Sequence, residues 1–156
     1  MSEKVSVIKL SKEQCAHHKQ ALAFLYLDNV KSCSFTTSFS YSDAEDKIAE
    51  LIEYVDNNSA IVFGCVDDKG KLVGFIWAYS VIFREENRMY VSVVQIDDAY
   101  RGRGLGTKLL NAVENEARID GLPALYIHTE AYNQGAIRLY EREGYVMERV
   151  QLRKPI

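Results

Sequence analysis

The chain has 156 residues, 47% apolar and 26% charged, with a formal net charge of −3. That length supports one domain, residues 1–156, with a buried core that needs no disulfide or metal staple. The charge balance offers no basic field for nucleic acid or an anionic membrane, and no run approaches the roughly 18 apolar residues of a membrane span. Met1-Ser2-Glu3-Lys4-Val5 has no signal-peptide anatomy. Cys15, Cys33 and Cys65 show no metal or redox spacing, and the adjacent His17-His18 cannot act as an i, i+4 chelating pair. The expectation is a cytoplasmic protein with no metal, nucleic-acid or membrane partner.

Residues 5–10 alternate apolar and polar side chains and predict a first strand. Ser11 and Gln14 form a capping box, which predicts a helix to about Asn29 with Ala21, Leu22, Leu25 and Tyr26 inward. Residues 31–42, rich in Ser, Thr and aromatics, read as a loop. A second helix is expected from Ser42 or Asp43 to residues 56–58, burying Ile48, Leu51, Ile52 and Val55. Residues 60–66 and 71–83 read as strands joined by the turn Asp67-Asp68-Lys69-Gly70. A charged loop, 84–88, leads to a strand at 91–96, and a helix over 104–118 carries Leu105, Leu109, Ala112, Val113 and Ala117 on one face. A strand at 123–129 comes next, then a short helix capped by Asn133 and stopped by Gly144, then a final strand at 145–153. This order predicts an α/β (α+β) domain with a mixed, mostly antiparallel central sheet flanked by helices.

The most informative stretch is Arg101-Gly102-Arg103-Gly104-Leu105-Gly106-Thr107, between an apolar strand and an amphipathic helix. A glycine-rich turn opening a helix leaves several backbone N–H groups unpaired and aligned, and the helix dipole adds roughly half a positive charge. Two arginines strengthen the field. The ligand predicted is a dense anion, a phosphate or pyrophosphate. The dinucleotide pattern G-x-G-x-x-G fails because Thr107 stands where the third glycine belongs, and Gly106-Thr107-Lys108 does not complete G-x-x-x-x-G-K-[ST]. What fits is R-x-x-G-x-G at Arg101, Gly104 and Gly106.

That spacing resembles the pyrophosphate loop of the GCN5-related N-acetyltransferases (GNAT), which bind acetyl-coenzyme A. The resemblance extends over Ile96-Asp97-Asp98-Ala99-Tyr100 before the loop. A second block, Asn133-Gln134-Gly135-Ala136-Ile137-Arg138-Leu139-Tyr140-Glu141-Arg142-Glu143-Gly144-Tyr145, is similar to the family's N-x-x-A-x-x-L-Y-x-x-x-G-[FY] segment. The resemblance implies the acyl-CoA N-acyltransferase fold. It also implies acetyl-CoA as co-substrate, no metal, and a small-molecule or peptide amine as acceptor. Dimers are common in the family, so a homodimer is one expected state. Many relatives end in a two-strand hairpin, whereas the residues after Tyr145 suffice for one strand.

By the same resemblance, the amides of Arg101, Gly102, Arg103, Gly104, Leu105, Gly106 and Thr107 hold the pyrophosphate. Val94, Gln95 and Ile96 offer backbone to the pantetheine arm, where the fourth and fifth strands splay, and the family's cofactor contacts fall on Asn133 and Ala136. Asn133 reads equally as a plain helix N-cap. Tyr140 occupies the family's general-acid position, and a phenol matches a leaving thiolate in pKa. Its alternative is a core tyrosine. Some relatives use a fourth-strand glutamate as base, and that position here is Tyr90. Others use a fifth-strand residue five places before the asparagine, here His128, with Glu130 two residues on and on the same face. The alternatives are a structural His128, or a base acting through ordered water. Residues 31–42 and 77–88 should shape the acceptor pocket, with Phe35, Phe39, Trp77 and Tyr79 as an aromatic wall and Glu85 and Glu86 attracting an amine. A different class of protein, a non-catalytic acyl-CoA-binding or sensing module, would keep the loop without the chemistry.

Overall fold

The computed structural model describes residues 3–33 and 38–156. Strand β1 (Val5–Lys9) is followed by helices α1 (Lys12–His17), α2 (Lys19–Cys33) and α3 (Tyr41–Asp56). Strands β2 (Ile61–Asp67), β3 (Leu72–Phe83) and β4 (Glu86–Ile96) come next, then α4 (Leu105–Ile119), β5 (Leu125–Ile127) and α5 (Gln134–Arg142). The strands lie in the order β1-β2-β3-β4-β5, antiparallel except for the parallel β4–β5 pair. The mixed, mostly antiparallel sheet flanked by helices is therefore as expected.

Local chemistry sets the element boundaries. The Ser11–Gln14 capping box forms in both directions, with Gln14 N donating to Ser11 Oγ at 3.2 Å and Ser11 N to Gln14 Oε1 at 2.9 Å. The expected single helix divides at His18, whose backbone (φ −96°, ψ 15°) caps α1 before α2 begins. α2 then runs past Asn29 to Cys33, into the stretch expected to be loop; residues 34–37 of that stretch, Phe35 included, lie outside the described residues. α3 starts earlier than expected because Ser40 and Asp43 make a second capping box. The charged loop expected at 84–88 is a two-residue hairpin turn. Arg84 and Glu85 both adopt positive φ (50° and 68°), the geometry that matches strand twist, and Glu86 and Arg88 already belong to β4.

Two corrections fall in the last third of the chain. The strand expected at 123–129 pairs only over Leu125–Ile127. The strand expected at 145–153 does not form: residues 146–156 have no regular structure and are exposed. The segment alternates only over residues 149–153, and no described neighbour completes a ladder with it. Its anchors are side chains, Arg88 Nη1 with Glu148 Oε2 at 2.7 Å and the Arg149 guanidinium 4.7 Å from the Phe83 ring centre.

The sheet carries a core on each face. On one, Leu22, Ile48, Leu51, Val62, Phe75 and Trp77 pack beneath α1–α3. On the other, Ile76, Val91, Leu105, Leu109, Leu110 and Val113 pack beneath α4. Residues 72–78 of β3 are buried throughout, since both faces are covered. Each fully buried large aliphatic or Phe side chain stabilises the fold by about 1.5–3 kcal/mol. The two layers fix β4, and with it the site, in place.

Candidate active site

β4 and β5 pair from Met89↔Leu125 to Val91↔Ile127 and then part, while β4 continues to Ile96. The parting has a local cause. The β3–β4 register passes from Trp77↔Val93 to Ala78↔Val91, which leaves Ser92 as an extra residue on β4. Such a bulge bends its strand and increases its twist. Residues 92–96, including Val94, Gln95 and Ile96, thus extend beyond the last β5 pairing. Asn29 of α2 leans on this stretch, its Nδ2 donating to Gln95 Oε1 at 3.2 Å and to the Val94 carbonyl at 3.5 Å. Asn29 carries no motif, and nothing in the sequence marks it as a partner of the site.

Beyond Ile96, Asp97 caps a single 3-10 turn, Asp98–Tyr100, and the glycine loop follows. Gly104 is the N-cap of α4 with φ 75°, and the first intrahelical donor is Lys108 N, to Gly104 O at 3.1 Å. The amides of Leu105, Gly106 and Thr107 precede that donor at the positive end of the helix dipole. A Cβ at Gly102 (φ 76°) or Gly104 would meet nothing within 4 Å, so the space before the backbone is open. Gly106 serves another purpose: a Cβ there would approach Leu139 Cδ2 at 3.4 Å, so α5 packs close to α4. Thr107 Oγ1 donates to Glu143 Oε1 at 3.1 Å and joins the same two helices.

The loop is braced from behind. Arg101 Nε donates to the Ile96 carbonyl at 3.3 Å and pairs with Asp98 at 3.2 Å. Arg103 Nη2 donates to the Ala99 carbonyl at 3.3 Å, and its guanidinium lies 4.7 Å from the Tyr100 ring centre. Tyr100 is buried and donates to Glu3 Oε2 at 2.6 Å, with Asp67 Oδ2 at 3.4 Å. These carboxylates and its burial push the Tyr100 hydroxyl up to about 12, the bond to Glu3 weighing most. Asp67 also accepts from the amides of Lys71 and Lys69, which hold its carboxyl below the usual range. Of the acidic neighbours Glu3, Asp67 and Asp68, the first two thus hold a tyrosine, and Asp67 also holds a turn.

The second sequence block forms α5. Asn133 is its N-cap, Oδ1 accepting from Ala136 N at 3.2 Å, so the capping role of that asparagine is realised. Tyr140 is the buried residue of α5, in the same core cluster as Leu105 and Leu109, with Tyr145 5.7 Å away between ring centres. His128 lies one residue past β5 and is exposed. Its Nδ1 is 3.4 Å from the Tyr90 hydroxyl, so the two sites weighed for the base are brought together. Glu130 does not share a strand with His128 as expected. β5 has ended, and Glu130 sits in the connection to α5, its carbonyl accepting from Asn133 N at 2.9 Å. Of the expected aromatic wall, Phe39 and Trp77 both approach Tyr26. The Trp77 indole N–H is buried and has no hydrogen-bond partner among the described residues. Glu86 pairs with Arg88 at 3.2 Å.

A five-stranded mixed sheet of this kind, flanked by helices, defines an acyl-CoA N-acyltransferase fold. The sequence matches the model of the Acetyltransferase (GNAT) family over residues 18–145, and the chain belongs to that family. It is 25% identical over 129 residues to the uncharacterized N-acetyltransferase YdgE of Bacillus subtilis, a match covering 82% of each chain. Among solved structures, a putative acetyl transferase from Pyrococcus furiosus shares the fold with a TM-score of 0.74 at 21% identity, over 98% of this chain and 100% of that one. The aminoglycoside N-acetyltransferase AAC(6')-Iy, solved in complex with CoA, has a TM-score of 0.74 at 14% identity, over 99% of this chain and 97% of its own. The protein is an acyl-CoA-dependent N-acetyltransferase. Among the described residues, no helix is long and apolar enough to cross a membrane.

Proposed function

We propose that the protein transfers an acetyl group from acetyl-CoA to a primary amine by direct attack. The observation that carries this reading is the course of β4, which leaves β5 at the Ser92 bulge and runs directly into the glycine loop. One continuous segment thereby offers strand backbone at Val94, Gln95 and Ile96 for an extended arm and helix-terminal amides at 101–107 for a pyrophosphate. Asn133 and Ala136 lie in the first turn of α5, which follows β5.

In the reaction the amine lone pair attacks the thioester carbon and an N–C bond forms. Amides of the β4 edge stabilise the oxyanion. The C–S bond then breaks, and the Tyr140 hydroxyl gives its proton to the departing thiolate. His128 takes the amine proton, directly or through water. For its Nε2 to accept, Nδ1 must carry the ring hydrogen and donate to the Tyr90 oxygen, which gives Tyr90 the task of fixing the tautomer. Glu130, on the connection to α5, keeps no direct part in the step. Burial pushes the Cys15 and Cys65 thiols up to about 11, so neither supplies a thiolate for a covalent acetyl-enzyme, in keeping with direct attack.

The acceptor belongs to the broad class of small-molecule or peptide amines. Val146, Met147, Val150 and Leu152 are all more than two-thirds exposed and support a homodimer contact, which light scattering would read as a doubled mass. The test of the function is thiol release from acetyl-CoA over a panel of amines. Amine-dependent release that falls steeply in Tyr140→Phe supports the mechanism. No release with any amine, from protein that binds acetyl-CoA, contradicts it.

A further inference from the structure

Tyr79, Tyr90 and Tyr126 form one row across three strands. The register places Tyr79 opposite Tyr90, and Tyr90 opposite Tyr126. Directly opposed residues share a face, and the ring centres are 5.4 Å and 4.9 Å apart, the second pair stacked. The row faces away from α4, because Met89 and Val91 on either side of Tyr90 are buried in the α4 core. His128 extends it toward the splay, its ring 5.5 Å from Tyr90 and 5.8 Å from Tyr126.

Tyr79 packs against the core beneath α1–α3, whereas position and exposure distinguish Tyr90 and Tyr126 from ordinary packing. The row ends beside the Ser92 bulge, where β4 and β5 part. All three tyrosines are only half-buried, and among the described residues β5 is the edge strand, paired with β4 alone. Burial raises the Tyr79 and Tyr90 hydroxyls, and the charges acting on them are those of other tyrosines. Tyr79 and Tyr90 accordingly keep their phenol protons and present uncharged ring faces. The ring faces offer a large flat apolar surface, and a flat aromatic body gains from it stacking that a flexible aliphatic amine does not.

Resting on the acetyl-transfer reading above, we propose that the acceptor is a primary amine borne on an aromatic body. The ring packs on Tyr90 and Tyr126 with Tyr79 behind, and the amine passes His128 to reach the open edge of β4. Tyr90 and Tyr126 are then determinants of acceptor specificity.

Dead-end complexes separate this proposal from the chemistry. Binding of 2-phenylethylamine and of 1,4-diaminobutane to the protein saturated with CoA would be measured by calorimetry. The aromatic amine is expected to bind about tenfold tighter. Tyr126→Leu and Tyr90→Leu should each reduce that ratio to below about threefold with CoA affinity unchanged, which also shows that the variants are folded. Equal affinities in the wild type, or no binding of either amine, overturn the proposal. An aromatic amine that binds tightly yet is never acetylated would leave the aromatic floor standing and sink the acetyl-transfer mechanism.

Discussion

The two ends of the β4 segment make an instructive pair. At 101–107 the proposed ligand groups are backbone amides, gathered by two left-handed glycines and a helix N-terminus. At Tyr90 the proposed ligand groups are side chains, gathered by register from positions 79, 90 and 126. Amides that point one way must come from consecutive residues, so that recognition is written contiguously. A floor of rings needs only one residue per strand, and the sheet does the gathering. The first arrangement is tolerant of side-chain change and intolerant of a Cβ; the second is the reverse.

Substitutions can break this contrast, beginning with the largest effect. Tyr140→Phe should lower kcat by about 10- to 10⁴-fold with acetyl-CoA affinity intact, the range of acid–base catalysis. Steady-state kinetics beside calorimetry would show it, and unchanged turnover would remove Tyr140 from the mechanism. Gly104→Val should weaken acetyl-CoA binding by about 100-fold. A branched residue at φ 75° costs roughly 1–2 kcal/mol of backbone strain and fills the open space before the amides. Retained affinity in a folded variant would contradict the loop assignment.

The same contrast holds for stability. Phe75→Ala, at a side chain with no exposure in the doubly covered part of β3, should cost about 3–5 kcal/mol in denaturant unfolding. Leu152→Ala, in the exposed segment after α5, should change the stability of the monomer by less than about 0.5 kcal/mol, measured at a concentration where light scattering reads a single chain. A large loss at Leu152 in the monomer would mean that this segment packs on its own chain.

The smallest expected effect concerns acid. The Lys71 and Lys69 amides and the Tyr100 hydroxyl depress the folded pKa of Asp67. A depressed carboxyl contributes stability that is present above its unfolded pKa, about 3.9, and is lost as pH falls through the folded value. The wild-type Tm should therefore fall on acidification below about pH 4. Asp67→Asn should start from a lower Tm at neutral pH and show a shallower acid decline. Parallel Tm profiles would assign the brace behind the loop to other groups.

These contrasts explain what was legible in the sequence. The glycine loop, the Ser11–Gln14 capping box and the cap at Asn133 depend on neighbours within a few residues, and all were readable. Partly readable were the helix faces: Leu105, Leu109, Val113 and Ala117 are buried as expected, joined by Leu110. What escaped depends on distant partners. The Ser92 bulge exists only in the pairing of β4 with β3. Asn29 reaches β4 from another layer. Tyr100 is held by Glu3 and Asp67, both far away in sequence. Residues 149–153 alternate as a strand should, yet alternation records a preference for pairing and does not provide the neighbouring strand.

The most direct test is calorimetry of acetyl-CoA binding to the wild type, Gly104→Val and Tyr126→Leu. Micromolar binding to the wild type and to Tyr126→Leu, with a loss of about 100-fold in Gly104→Val, is the result expected if a backbone cradle and a side-chain floor act separately. Equal binding by Gly104→Val, or a matching loss in Tyr126→Leu, would contradict that division of the site.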